Sequence, residues 1–269
     1  MNGKIDGEKI GREIELELKK AGETPKLHII LVGKREASQT FVDQKLKAGE
    51  RVGFQTELTE YDEEISQENL IQKIHDLNTD DSVDGILVQL PLPDHLDENT
   101  VFEELDSEKD VDCLTPENLG RLVRGHVPVH PAAAEGVLEI LSAHEIKVEG
   151  SDVVIVNNSA LIGRPLSMLL TERNATVTLC NKETEDLGQH VSEADIIVTA
   201  TGEPGVLDAE MISEDSVVID AGYGSSGGDI KEIEKISVKA LLAPVPHGLG
   251  PVTVAVTLRN LLKCCRLQN

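Results

Sequence analysis

The strongest constraint on the fold is a rhythm. Short, nearly continuous apolar runs alternate with longer stretches whose apolar residues recur every three or four positions. Leu27–Gly33 (LHIILVG), Phe54–Thr59 and Val83–Leu90 (VDGILVQL) are the runs of the first half, the last one closed by Pro91 and Pro93. Apolar runs of this length suit strands covered on both faces. Between them, Ile10, Ile14 and Leu18 stripe a helix that Gly22 ends, Ala37–Val52 reads as a second helix, and Leu70, Ile71, Ile74 and Leu77 stripe a third. Strand–helix alternation predicts an α/β fold, with a mostly parallel sheet and helices on both faces.

The stretch Asp106–Val129 is polar and rich in turn residues, so it reads as a loop and as the domain junction. Pro131 then opens a helix to about Ala143, and the rhythm restarts. Val153–Val156, Thr176–Leu179, Asp195–Ala200, Val217–Asp220 and Ala240–Val245 read as strands, with a helix over Arg164–Arg173 joining the first two. A last helix from about Val252 is striped by Val254, Leu258, Leu261 and Cys265. The second half resembles a Rossmann-type domain. The expected architecture is α/β in two domains: an N-terminal α/β domain over 1–125, completed by the terminal helix 252–269, and a Rossmann-type domain over 135–250.

Charge narrows the partners. The formal net charge is -24 over 269 residues. Such a surface repels phosphate backbones, which argues against nucleic acid as a partner. It equally suits an ordinary acidic cytosolic protein or one adapted to a salty cytoplasm, where salt screens self-repulsion. No apolar run reaches membrane-spanning length, and the charged segment Met1–Lys20 has no apolar signal core, so a cytoplasmic, non-membrane protein is expected. None of Cys113, Cys180, Cys264 and Cys265 forms a CxxC pair, and reduced thiols are expected. His126 and His130 stand four apart, but Pro128 between them opposes a helix presenting both, and no metal site is expected.

Three segments carry chemistry. The turn Val156–Pro165 (VNNSALIGRP) follows a strand and opens a helix, where backbone N–H groups and the helix dipole face an anion. It lacks GxGxxG, so an ordinary strand-to-helix turn is nearly as good a reading. Ser38, Phe41 and Lys45 share one helix face just after the first strand, on the sheet edge where open α/β sheets place their ligands. Gln89 ends the third strand as a polar amide amid apolar neighbours. Lys109–Asp112 (KDVD) puts two carboxylates at the junction, and Pro244–Thr253 (PVPHGLGPVT) is a stiff turn from strand into helix.

Together these segments resemble the bifunctional methylenetetrahydrofolate dehydrogenase/cyclohydrolase family, in the same order over nearly the whole chain. The resemblance also runs through Gly85–Pro93, Ala175–Cys180 and Ala200–Gly202. It implies oxidation of a methylene-tetrahydrofolate with a nicotinamide cofactor and hydrolysis of the methenyl product to formyl-tetrahydrofolate, in a cleft between the domains. It places Lys45 at the catalytic lysine, Gln89 at its amide partner and Asp112 at the carboxylate that holds the pterin. It further implies substrate contacts at Ser38, Phe41, Pro246, Gly250 and Pro251, and cofactor contacts at Asn157, Asn158, Ser159, Gly163, Lys182, Thr201 and Gly202. A homodimer pairing through the cofactor domain is implied as well.

The chain departs from the family pattern in places. Phe41 stands for a tyrosine, which removes a hydrogen bond of roughly 1 kcal/mol. Cys113 and His247 each stand for a glycine, Ala132–Ala134 for Cys-Thr-Pro, and Asn157–Asn158 for Gly-Arg. NADP is the expected cofactor, because Lys182 lies just past the second Rossmann strand and no acid ends that strand; Glu183 keeps NAD open. Two rival functions stay open: a cyclohydrolase with weak or lost dehydrogenase activity, and a non-catalytic folate- or nucleotide-binding protein.

Overall fold

The computed structural model describes residues 3–222, 227–236 and 241–268. In chain order, β1 (Gly3–Lys4) and α1 (Gly7–Ala21) precede β2 (Lys26–Val32), α2 (Glu36–Val52), β3 (Gln55–Tyr61), α3 (Gln67–Asn78) and β4 (Gly85–Val88). Next come α4 (Glu98–Glu103), α5 (Pro116–Val123) and α6 (Ala132–Ala143). The later half runs β5 (Asp152–Val156), α7 (Gly163–Glu172), β6 (Thr176–Cys180), α8 (Leu187–Ser192) and β7 (Ile196–Thr199). It ends with β8 (Leu207–Asp208), β9 (Val217–Asp220), β10 (Ile230–Lys231), β11 (Leu241–Ala243) and α9 (Leu249–Gln268). The chain divides into two compact units: residues 12–132 with 254–269, and residues 1–11 with 133–253.

The first unit is built on a parallel sheet of order β3-β2-β4. The central strand β2 is covered on both faces, with Leu27, Ile29, Ile30 and Leu31 all buried. This accounts for its unbroken apolar run. On one face Ile30, Val32, Ile86 and Val88 pack with Leu70, Ile74 and Leu77 of α3 and with Val101 and Phe102 of α4. Full burial of each large aliphatic side chain contributes about 2 kcal/mol. Helix α2 lies against β3 so closely that a Cβ added at Gly49 would sit 2.5 Å from Thr56 Cγ2.

The segment 106–129 is not the loop its polarity suggests. Helix α5 occupies its middle, started by Thr115, whose hydroxyl accepts the Asn118 N–H, and by Pro116 in the first turn. Proline costs nothing there, because that N–H has no helical partner anyway. Helices α4 and α8 also went unpredicted; each has six residues, too few for a periodic stripe. The strand expected through Leu90 ends at Val88.

The second unit carries a six-stranded parallel sheet of order β1-β11-β9-β7-β5-β6, with β8 and β10 as a separate parallel pair. From β5 the chain goes out to β6 on one side and returns to β7 on the other. This reversal makes the C-terminal ends of β5 and β7 the topological switch point, where open α/β sheets bind ligands. Ala240 lies outside the described residues; β11 stops at Ala243, short of the expected Val245, because Pro244 and Pro246 end the pairing. Helix α9 starts at Leu249, three residues before Val252, with Pro251 tolerated in its first turn.

The compact units divide the start of the chain at another place. Residues 1–11 cluster with the second unit rather than with the N-terminal domain expected over 1–125. Gly3 and Lys4 pair with Leu241 and Leu242, and the Ile5 N–H donates to the Leu242 carbonyl at 2.7 Å. Two residues are too few to show strand periodicity.

Candidate active site

Helix α2 sets the site of the first unit. Its buried stripe is Ser38, Val42, Lys45, Ala48, Gly49 and Val52, so one lysine lies in an otherwise small or apolar row. Lys45 is 5% exposed. Its Nζ donates to Gln89 Oε1 at 3.0 Å, and the Gln89 amide in turn donates to the Leu90 carbonyl at 2.8 Å. Ser38 Oγ donates to the same carbonyl at 3.5 Å. Gln89 follows β4, and its backbone N–H continues the ladder to the Ile30 carbonyl at 2.9 Å. The amide that orients Lys45 is therefore fixed at both its ends. Phe41, half-buried, shares the face of Ser38 and Lys45.

Burial pushes the Lys45 ammonium below its usual range, and the carboxylate of Asp112 opposes that shift. An amine held this way gives up its proton more readily than a solvated lysine. Asp112 sits in a loop pinned from several sides. Lys109, though buried, spends its ammonium on the Leu77 and Asp80 carbonyls at 3.0 and 2.8 Å. Asp110 accepts the Thr115 N–H at 2.9 Å and the Asn118 amide at 3.0 Å. Asn260 of α9 donates to the Val111 and His130 carbonyls at 2.9 and 2.8 Å. Lys109 and Asp110 are thus structural members of the KDVD segment, and Asp112, half-buried, is its available acid. Cys113 follows with φ 56, a left-handed conformation suited to glycine. His126 and His130 lie in non-helical backbone between α5 and α6, so no helix presents them as a pair.

The residues expected to hold a dinucleotide lie in the second unit, around its switch point. Asn157 follows β5 and organises the turn: its Oδ1 accepts the Ser159 N–H at 2.8 Å, the Ser159 hydroxyl at 2.7 Å and the Gly163 N–H at 3.1 Å. Its amide donates to the Ala200 carbonyl after β7 at 2.6 Å. Gly163 is packed so tightly that a Cβ would lie 2.0 Å from the Asn157 carbonyl oxygen. Asn157 therefore builds the turn and has no side-chain acceptor to spare. The Ile162 N–H is also taken, by Ser159 Oγ at 3.3 Å. Asn158 and Arg164 are exposed beside it. Arg164 belongs to the quoted motif but drew no role from sequence; its place in the first turn of α7 makes it a cation at the mouth of the turn.

Past β7, Thr201 and Gly202 form the second turn, Gly202 with φ 71 and the Thr201 N–H held by the buried Asp229 at 2.6 Å. Lys182, beyond β6, has a side chain 88% exposed and lies 3.8 Å from Glu183. Pro246, Gly250 and Pro251 also belong to this unit, at the turn into α9, apart in the chain's division from Ser38 and Phe41. Within that turn His247 has φ 78 and its ring meets Glu8 at 2.7 Å.

The donor set fits a dinucleotide phosphate: the exposed Arg164, Lys182 and Asn158 supply two cations and an amide beside the positive end of α7, at a switch point. Comparison with known proteins agrees with both halves of the geometry. The tetrahydrofolate dehydrogenase/cyclohydrolase catalytic-domain profile matches residues 1–112, and the NAD(P)-binding-domain profile of the same name matches residues 131–269. The bifunctional protein FolD of Salinibacter ruber is 45% identical over 258 residues, covering 91% of this chain and 86% of its own. The crystal structure of FolD from Campylobacter jejuni is 38% identical, covers 99% of both chains and superposes with a TM-score of 0.92. That of the Trypanosoma brucei enzyme, complexed with NADP and an inhibitor, is 32% identical with a TM-score of 0.94, covering 99% of this chain and 98% of its own. With a buried lysine–glutamine pair in one unit, a dinucleotide switch point in the other and matches spanning both, this chain belongs to the tetrahydrofolate dehydrogenase/cyclohydrolase family.

Proposed function

We infer that the chain oxidises 5,10-methylenetetrahydrofolate with NADP and hydrolyses the resulting 5,10-methenyltetrahydrofolate to 10-formyltetrahydrofolate. The buried Lys45 on Gln89, with Asp112 acting on its charge, carries the reading. The unit of residues 12–132 and 254–269 takes the folate, and the other unit takes the dinucleotide.

In hydrolysis, water adds to the amidinium carbon. Neutral Lys45 removes a proton from that water as the C–O bond forms, and Gln89 holds the amine in line. The ammonium then gives the proton to N5 as the C–N5 bond breaks, and the hydroxyl proton leaves to solvent with the formyl group in place. General acid–base work of this kind contributes about 10²–10⁴-fold. Asp112 accepts hydrogen bonds from the pterin amino and ring N–H groups, a charge-assisted contact. Ser38 and the Phe41 ring lie on the same helix face and line the folate; Pro246, Gly250 and Pro251 are further substrate contacts.

Bound NADP supplies the hydride acceptor for oxidation of the methylene carbon. Asn158, Arg164 and Lys182 hold its phosphates; Asn157, Ser159 and Gly163 shape the turn, and Thr201 and Gly202 border it. Glu183 beside Lys182 leaves room for NAD. A second copy of the chain fits the sheet edge at β6, which among the described residues pairs only with β5 and leaves Leu179 37% exposed. The acidic surface and free cysteines suit the cytoplasm, and no described helix is long and apolar enough to cross a membrane.

The amides of Ser159, Ile162 and Gly163, already bonded inside the turn, favour one second reading: a cyclohydrolase with weak dehydrogenase activity. Turnover of methylenetetrahydrofolate with NADP and with NAD, followed by methenyl absorbance at low and high KCl, decides between them. NADP-dependent turnover, its preference over NAD eroded by Lys182→Ala, is expected. Methenyl hydrolysis without oxidation favours the second reading, and folate binding without either activity leaves a non-catalytic binder.

A further inference from the structure

Two fully buried acids lie behind the dinucleotide turn, and neither drew a role from sequence. Asp220 ends β9, and Asp229 precedes β10; both are 0% exposed. Asp220 Oδ1 accepts the N–H groups of Gly222 and Asp229 at 3.0 and 3.1 Å, and Oδ2 that of Ile230 at 3.3 Å. Asp220 thereby anchors the backbone that carries Asp229. Asp229 then reaches across to β7, where its Oδ2 accepts the Thr199 hydroxyl and the Thr201 N–H, both at 2.6 Å. Its carbonyl accepts the Gly205 N–H at 2.9 Å, tying the far end of the same turn.

The sequence leaves room for this arrangement. A Cβ at Gly222 would fall 1.8 Å from Asp229 Oδ1, and a Cβ at Gly228 would fall 2.1 Å from Asp220 Oδ2. No larger residue fits at either place while the acids hold their positions. Asp229 Oδ1 has no hydrogen-bond partner among the described residues, so this carboxylate is buried with one oxygen unserved. Burying a polar atom unpaired is unfavourable for stability. The arrangement makes sense if the other oxygen's grip on Thr199 and Thr201 is what the site requires.

We propose that Asp229 is a positioning residue for the dinucleotide: its carboxylate sets the Thr199–Thr201 turn at the switch point in the shape that receives the cofactor. The inference rests on the dinucleotide reading above. Asp229 is fully buried and acts through the turn, so its loss appears in cofactor affinity and leaves the folate chemistry of the other unit alone. A preorganised turn need not be ordered at the moment of binding, which is where the affinity comes from.

The test is titration of the full-length protein with NADP, followed by calorimetry, for the native chain, Asp229→Asn and Thr199→Val. Methenyl hydrolysis, which needs no dinucleotide, is measured on the same preparations. Asp229→Asn takes the charge from both hydrogen bonds and is expected to weaken NADP binding about tenfold. Thr199→Val keeps the shape and removes one donor, and is expected to weaken it about threefold. Hydrolysis stays at the native rate in both. Unchanged NADP affinity in the folded variants overturns the proposal, as does hydrolysis falling in parallel with binding. If Asp229→Asn does not fold, Thr199→Val alone decides. A native chain that binds no dinucleotide removes the underlying reading and this inference with it, whereas native binding with unaffected variants removes only the inference.

Discussion

The two units solve opposite problems. In the first, the proposed chemistry rests on a side chain: Lys45 is buried on one amide, and the fold's task is to hold it in an unfavourable place. In the second, backbone turns frame the switch point, and side chains such as Asn157 and Asp229 are consumed in shaping them. Motif residues therefore mean different things in the two units. Struts occur in both, Lys109 and Asp110 in the first and Asn157 in the second, but among the described residues only the first buries a lysine on a single side-chain amide.

The sharpest break of that comparison is Lys45→Met, expected to lower methenyl hydrolysis by about 10²–10⁴-fold. The same change should raise stability. Between the lowered Lys45 pKa and the ordinary lysine value of 10.5, the unfolded chain holds a proton that the folded chain gives up, so the buried lysine weakens the fold at neutral pH, and less so as pH rises. Thermal melts at pH 7 check this; a Met variant that melts lower than the native chain contradicts it. Asn157→Ala is the counterpart in the other unit. It strips an acceptor from Ser159 and Gly163, and should cost about 2 kcal/mol of stability and most NADP-dependent oxidation, with hydrolysis kept. Equal loss of both activities would erase the division of labour.

A finer test uses pH. Asp112 holds the Lys45 pKa up against burial, so Asp112→Asn should move the acid limb of the hydrolysis profile to lower pH, along with weaker folate binding. An unmoved limb would mean that Lys45 is not the group that titrates. The smallest effect concerns His247, whose φ of 78 favours glycine. His247→Gly relieves that conformation and loses only a solvent-exposed contact to Glu8, so a gain of about 1 kcal/mol in a denaturant melt is expected.

Much of this was legible beforehand because long elements repeat their signal. The β2 run, the α2 stripe and Val217–Asp220 each declare themselves over several residues. Elements α4, α5 and β1 are short, and their cues are local caps or a single pairing, as with Thr115 and Pro116. In the site, spacing alone assembled Ser38, Phe41 and Lys45 on one face. It could not tell that in Lys109–Asp112 two charges are spent on buried partners and only one is available, because burial depends on Leu77, Thr115 and Asn118, all distant or out of pattern. Asp229 stayed invisible for the same reason: its partners are 28 and 30 positions away.

The way the units share the chain's two ends has a consequence for how the protein can be made and handled. The sheet of the second unit is finished by residues 3–4, and the first unit by residues 254–268 of α9. A nascent chain paused after residue 132 still lacks the piece that closes its first unit, and the opening residues wait for β11 before they find a partner. Severing the chain near residue 132 leaves each fragment short of an element held by the other, so co-expressed halves should recover structure that neither half keeps alone. A bulky fusion at the amino end lands on the border of the dinucleotide sheet.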